Sequence, residues 1–150
     1  MKYFILLLTV IMTSASLSAQ TRVPNMMETS LTKIRSSGQA GRVIERTFSD
    51  IIFRDDSSAT NTIFTHRFSS SNNYRINAFA PSSELTDIYV YIYRKDDNGK
   101  WQKVASSTSG GNDVVIRFSP QVSGSYTFLV KGTLKSGINN SLFNLIIERE

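Results

Sequence analysis

Thr86-Asp87-Ile88-Tyr89-Val90-Tyr91-Ile92-Tyr93 alternates aliphatic with aromatic side chains from Ile88 onward, the period-2 signature of a β-strand that buries one face. A polar turn, Asp96-Asp97-Asn98-Gly99, follows, and its glycine can take the positive φ that a tight hairpin demands. Beyond it, Trp101 to Ser106, Val114 to Phe118 and Ser123-Gly124-Ser125-Tyr126-Thr127-Phe128-Leu129-Val130 read as further strands. Successive strands joined by polar turns, each with one face to bury, build an antiparallel sheet.

The same pattern extends outward. Upstream, Tyr74 to Ala80 alternates until Pro81-Ser82-Ser83 ends it, and Thr62 to Phe68 sets Phe64, His66 and Phe68 against Ile63, Thr65 and Arg67. Val43 to Phe53 reads as one strand or two short ones: Ile44, Arg46 and Phe48 do not alternate cleanly with their neighbours, and Ile51-Ile52-Phe53 is an apolar run. Asp55-Asp56-Ser57-Ser58 breaks it. Downstream, Leu142-Phe143-Asn144-Leu145-Ile146-Ile147 forms the last strand. About eight strands at near-regular spacing, with no helical segment between them, predict an all-β antiparallel sandwich over residues 42–150.

Ahead of the sandwich, Met1-Lys2-Tyr3, the apolar run Phe4 to Met12 and Thr13-Ser14-Ala15-Ser16-Leu17-Ser18-Ala19 have the charged start, apolar middle and small-residue end of a secretory signal peptide. Residues 1–19 are expected to be removed after Ala19. The apolar run is about half the ~20 residues that a spanning helix needs, so no membrane span is expected. Residues 20–41 form a leader in which Met27, Leu31 and Ile34 recur at helical spacing after Pro24-Asn25. That predicts a short helix from about Met26 to Ser37, or else a frayed segment, ended by Ser36-Ser37-Gly38 and Gly41.

The sequence contains no cysteine, which excludes a disulfide-stapled scaffold and a lipid on an N-terminal cysteine. An exported chain without cysteine suits a bacterial envelope or medium, secreted or periplasmic. The formal charge is +5, and +4 once Lys2 leaves with the signal. Basic residues interleave with acids, as in Arg54-Asp55-Asp56 and Arg94-Lys95-Asp96-Asp97, so the excess is dispersed over a surface. Nucleic acid is not an expected partner, whereas acidic glycans or an anionic cell surface would feel a mild attraction.

Asn73-Tyr74-Arg75-Ile76, Thr86 to Tyr93, Val104-Ala105-Ser106, Val114 to Phe118, Ser123-Gly124-Ser125-Tyr126 with the strand that follows, and Phe143 to Ile147 together resemble the bacterial pre-peptidase C-terminal domain, across roughly Arg42 to Glu150. The resemblance implies a jelly-roll-like β-sandwich that accompanies secreted peptidases, in a family where some members bind calcium or a polymeric substrate. Two departures qualify it. With a signal peptide at its start, this chain is expected to carry no catalytic domain ahead of the module. Tyr89 stands where the family's Asp-x-Asp pattern has its second acid, which weakens the calcium site that the resemblance would place at Asp87.

Catalytic candidates are few. His66, the only histidine, lies on the Phe64/Phe68 face, where a packed ring is expected rather than a general base, and no Gly-x-Ser-x-Gly elbow presents a nucleophile. The adjacent carboxylates Asp55-Asp56 and Asp96-Asp97 lie in turns, where Asp is explained by hydrogen bonds to the local backbone. Their spacing does not resemble a calcium loop, so no cofactor or metal is expected. The remaining feature is the tyrosine stripe Tyr89, Tyr91 and Tyr93. With Ile88, Val90 and Ile92 taking the core side, its rings face outward at roughly 7 Å intervals, either packing against cross-strand neighbours or offering a stacking surface to a ligand. The sequence thus points to a non-catalytic binding or adhesion module for an extracellular polysaccharide or protein polymer. The other reading is an accessory or regulatory partner of a separately encoded secreted hydrolase.

Overall fold

The computed structural model describes residues 28–36, 38–54 and 60–150; the signal peptide, the Asp55-to-Ser58 break and both ends of the expected leader helix lie outside them in whole or in part. Eight strands follow one another: β1 (Val43–Phe53), β2 (Thr60–Phe68), β3 (Tyr74–Phe79), β4 (Leu85–Lys95), β5 (Trp101–Ser106), β6 (Asp113–Phe118), β7 (Gly124–Leu134) and β8 (Asn140–Arg149). They form two four-stranded antiparallel sheets, ordered β1-β8-β3-β6 and β2-β7-β4-β5. The first strand pairs with the last, the second with the seventh, the third with the sixth and the fourth with the fifth. That is one long hairpin wrapped around a core, the jelly-roll arrangement.

Alternation decides which side chains the wrap encloses. Ile88, Val90 and Ile92 of β4, Phe128 and Val130 of β7, Tyr74 and Ile76 of β3 and Phe143, Leu145 and Ile147 of β8 are all buried in one cluster. Phe68 sits at its aromatic end, with ring centroids 4.6 Å from Tyr74, 5.2 Å from Phe118 and 5.5 Å from Tyr126. Gly132 lets β7 pass close beneath β1 and β4, since a Cβ there would meet Leu85 Cδ1 at 2.6 Å and Ile52 Cδ1 at 2.8 Å.

The broken alternation of Val43 to Phe53 belongs to a single strand. The register against β8 shifts between Ile44 and Arg46, so Glu45 is the extra residue of a β-bulge, and every side chain after it changes face. Arg46 then covers Phe64 at 5.8 Å from the ring centroid and donates to the Thr65 carbonyl at 2.7 Å.

Helix α1 (residues 28–36) lies against the outer face of the β1-β8-β3-β6 sheet. Lys33 pairs with Asp113 and sits 4.9 Å from the Phe79 ring centroid, while Asn144 Nδ2 donates to Ser30 Oγ at 3.0 Å. On that face Phe79, Asn144 and Ile146 are buried, and Glu148 is 0% exposed. Asn77 Nδ2 donates to Glu148 Oε1 at 2.9 Å, with Arg42 at 3.6 Å and Arg75 at 3.9 Å from Oε2. A buried carboxylate needs such company, because an uncompensated charge in the interior costs several kcal/mol.

Truncating Phe68 to Ala is expected to remove ~3–5 kcal/mol of stability in urea unfolding, whereas Ile63→Ala, one position out of phase and 69% exposed, should change it by about 0.5 kcal/mol or less. Equal losses would mean that the inward and outward sides of β2 are misassigned.

Candidate functional site

The outer face of the β2-β7-β4-β5 sheet is built by register. Its central row runs Ile63, Leu129, Tyr91 and Ser106 across all four strands. The next row runs Thr65, Thr127, Tyr93 and Lys103. Strands stand about 4.8 Å apart, so each row spans roughly 15 Å. On β4, Ile88, Val90 and Ile92 are fully buried while Tyr89, Tyr91 and Tyr93 are half-buried. The expected division of the two faces is therefore what the strand adopts.

The three tyrosines are not equivalent. Tyr89 lies under the β5–β6 loop: a Cβ on Gly110 would stand 2.7 Å from both Tyr89 Oη and Asp87 Oδ1, and Ile88 N donates to the Gly111 carbonyl at 2.8 Å. Its ring is part of the loop's packing. Tyr91 and Tyr93 face the open part of the sheet, and Lys103 Nζ stands 5.7 Å from the Tyr91 centroid.

Alternation alone does not reveal Trp101 as a member of this surface. Counting back from Ala105, which pairs with the inward Ile92, would turn Trp101 toward the core. The register instead slips between Ile92 and Tyr93, with Tyr93 opposite Lys103 and Lys95 opposite Trp101. Val104 is the bulged residue, and the slip turns Lys103 and Trp101 outward. Trp101 is 52% exposed, with Lys95 Nζ 5.1 Å from its ring centroid. Arg67, Lys95, Lys103 and Lys131 all belong to this outer face, with Asp87 the acid at one end. The result is an aromatic surface edged by cations.

The other candidates resolve into structural roles. His66 packs edge-on to Phe68 at 4.7 Å between centroids, and its Nε2 is 3.4 Å from Glu45 Oε2 without the alignment of a hydrogen bond. Burial pushes its pKa below the ordinary histidine value against the opposing pull of Glu45. Asp96 Oδ1 accepts from the backbone N–H of Asn98 at 3.0 Å and of Lys100 at 2.8 Å, while Oδ2 accepts from Gln102 at 3.0 Å. Its oxygens are spent on the hairpin. Asp97 is solvent-exposed, 3.9 Å from Arg94. Asp55 and Asp56 lie outside the described residues. Among the described residues, no three acidic or histidine side chains cluster as metal ligands would, and no helix is long and apolar enough to cross a membrane.

Neither a family model nor a curated protein sequence matches the chain. Solved structures similar to it include a mitogen from Yersinia pseudotuberculosis, at 10% identity and a TM-score of 0.49 over 71% of this chain and 85% of that one. The pre-peptidase C-terminal domain of collagenase from Bacillus anthracis is also similar, at 14% identity and a TM-score of 0.47 over 68% and 87%. A third is Aeromonas hydrophila PliG, a periplasmic inhibitor of g-type lysozyme, at 6% identity and a TM-score of 0.45 over 70% and 85%. The second belongs to the family that Asn73 to Ile147 resemble. The jelly-roll assignment itself rests on the strand order.

Because burial depresses the His66 pKa, the unfolded chain binds a proton near pH 6.5 that the folded chain takes up only at lower pH. Stability is therefore expected to fall as pH drops from about 7 through the lowered pKa of the folded state. A His66→Gln variant should lose that part of the slope in melting temperature against pH. An unchanged slope would assign the dependence to other groups.

Proposed function

We propose that this protein is an exported, non-catalytic binding module whose outer β2-β7-β4-β5 face takes up an extracellular glycan or protein polymer. The observation that carries this reading is the row Ile63, Leu129, Tyr91, which continues to Tyr93 and Trp101 as an open apolar and aromatic surface on a four-stranded sheet. Rings held by the sheet and by flanking ammonium groups lose little freedom when a sugar or side chain stacks on them. The cations at its border, Arg67, Lys95, Lys103 and Lys131, favour a polymer that bears acidic groups and would make binding weaken with added salt. A non-catalytic role accords with His66 held among aromatics and Asp96 spent on its turn.

The test compares two neighbours on one strand. Tyr91→Ala is expected to weaken binding to the polymer about tenfold to a hundredfold, as the loss of a stacked ring does, while leaving the melting temperature nearly unchanged. Val90→Ala, its inward neighbour, is expected to cost roughly 2 kcal/mol of stability and to bind almost normally once folded. Binding would be read on immobilised acidic and neutral glycans and on matrix proteins. A large loss of stability for Tyr91→Ala, with no polymer bound by the parent, would make the face a packing surface and overturn the reading.

A further inference from the structure

The wrap leaves four strands with a partner on one side only: β1 and β6 in one sheet, β2 and β5 in the other. An open edge offers backbone N–H and C=O groups to any further strand, and proteins guard such edges with bulges, charges or covering side chains. Strand β1 bulges at Glu45, and β5 bulges at Val104 beside Lys103. At β2 the Arg46 guanidinium reaches across and donates to the Thr65 carbonyl at 2.7 Å. Strand β6 shows no such guard among the described residues. It pairs with β3 without a bulge from Phe118 to Asp113, and a cleft parts it from β5.

The phase of the β6 edge is set by β3. Ala80 N donates to the Asn112 carbonyl at 2.8 Å, one step beyond the Phe79–Asp113 pair. Hydrogen-bonded and non-bonded pairs alternate along an antiparallel ladder, so Val114, Ile116 and Phe118 bond to β3 while the backbone groups of Asp113, Val115 and Arg117 point to the open side. The side chains of these last three residues are exposed on the outer face of the sheet, and those of Val114, Ile116 and Phe118 are buried in the core.

Run antiparallel to itself, this segment is its own complement. With Val115 opposite the partner's Val115, Asp113 falls opposite the partner's Arg117, and Arg117 opposite the partner's Asp113. Each of these pairs uses the backbone groups that β3 leaves open. A displacement by two residues sets Val115 against a charge, and one by four sets a charge against its own kind, which disfavours both. Within one copy, Arg117 stands opposite Arg75, which is turned to Glu148 and Asn77, and Arg117 makes no ion pair among the described residues. Asp113 pairs with Lys33 through Oδ2, and a carboxylate has acceptor sites for a second cation. On the inner side, Val114 falls opposite the partner's Ile116. Both keep 6% exposure at the lip of the core, where Ile76 of β3 has none, and the pairing covers them.

We propose that β6 pairs with β6 of a second copy of this chain, in a two-fold antiparallel register centred on Val115 that joins the two β1-β8-β3-β6 sheets into one. The interface is isologous, the commonest kind in dimers, and draws on the main-chain pairing by which sheet edges recognise added strands. Because the two-fold axis stands perpendicular to the joined sheet, both copies turn their tyrosine rows to the same side. The pairing itself does not rest on what those rows bind.

Sedimentation velocity from ~10 μM to ~1 mM tests this, the range in which an interface below standard size assembles. The protein is expected to pass from monomer to dimer across that range. Val115→Lys, at a side chain 46% exposed, sets like charges across the axis and should weaken the dimer at least about tenfold. Asp113→Arg and Arg117→Asp should each weaken it similarly, since each sets like charges opposite one another. Mixed in equal amounts, these two variants should recover a dimer about as tight as the parent's, because each then meets the opposite charge. Melting by circular dichroism shows that each variant is folded, and Val115→Lys alone decides if Asp113→Arg is not. The proposal is overturned if the protein stays monomeric to ~1 mM, if folded Val115→Lys dimerises like the parent, or if the two folded charge variants do not recover each other.

Discussion

Nested antiparallel pairing is the constraint on which everything else depends. Because β1 pairs with β8, and each later strand with its counterpart from the other end, the first and last strands are tied together by the wrap that encloses the core. Most contacts in such a wrap join residues far apart in the chain, so the structure gains little until the whole is closed. The hydrophobic faces, the Phe68 aromatic cluster and the tight passage at Gly132 are consequences of that closure. They also hold it, since a buried face cannot slip by one residue without turning its whole apolar set to water.

The two outer faces then meet different fates. The β1-β8-β3-β6 sheet is covered by α1 and by Arg42, which allows Phe79 and Ile146 to be buried on a side that alternation alone would leave wet. The β2-β7-β4-β5 sheet carries no such cover among the described residues, and its aromatic rows remain on the surface. This asymmetry gives the molecule a covered back and an available front. The cleft between β5 and β6 is a third environment, created where the wrap ends in two unpaired edges.

Much of this was legible in the sequence. Strand alternation placed Ile88, Val90 and Ile92 inside and Tyr89, Tyr91 and Tyr93 outside, and placed His66 with Phe64 and Phe68, because period-2 geometry is local. What stayed hidden depends on other strands. The bulges at Glu45 and Val104 follow from how β1 meets β8 and β4 meets β5, so Trp101's outward position could not be counted from β5 alone. The imperfect alternation of Ile44, Arg46 and Phe48 with their neighbours was the trace of the first bulge. Burial of Glu148 depends on Arg42, ahead of β1, meeting Arg75 and Asn77 of β3, and the cleft arises from strands that no short-range pattern connects.

The asymmetry of the two outer faces is the claim most open to direct measurement. Hydroxyl-radical footprinting of the folded protein, read residue by residue by mass spectrometry, reports side-chain access on both faces at once. Trp101 and Tyr93 are expected to oxidise readily, while Phe79 and Ile146 stay as protected as the core residues Phe128 and Ile147. Ready oxidation of Phe79 and Ile146, or protection of Trp101 to core levels in the protein alone, would contradict the account.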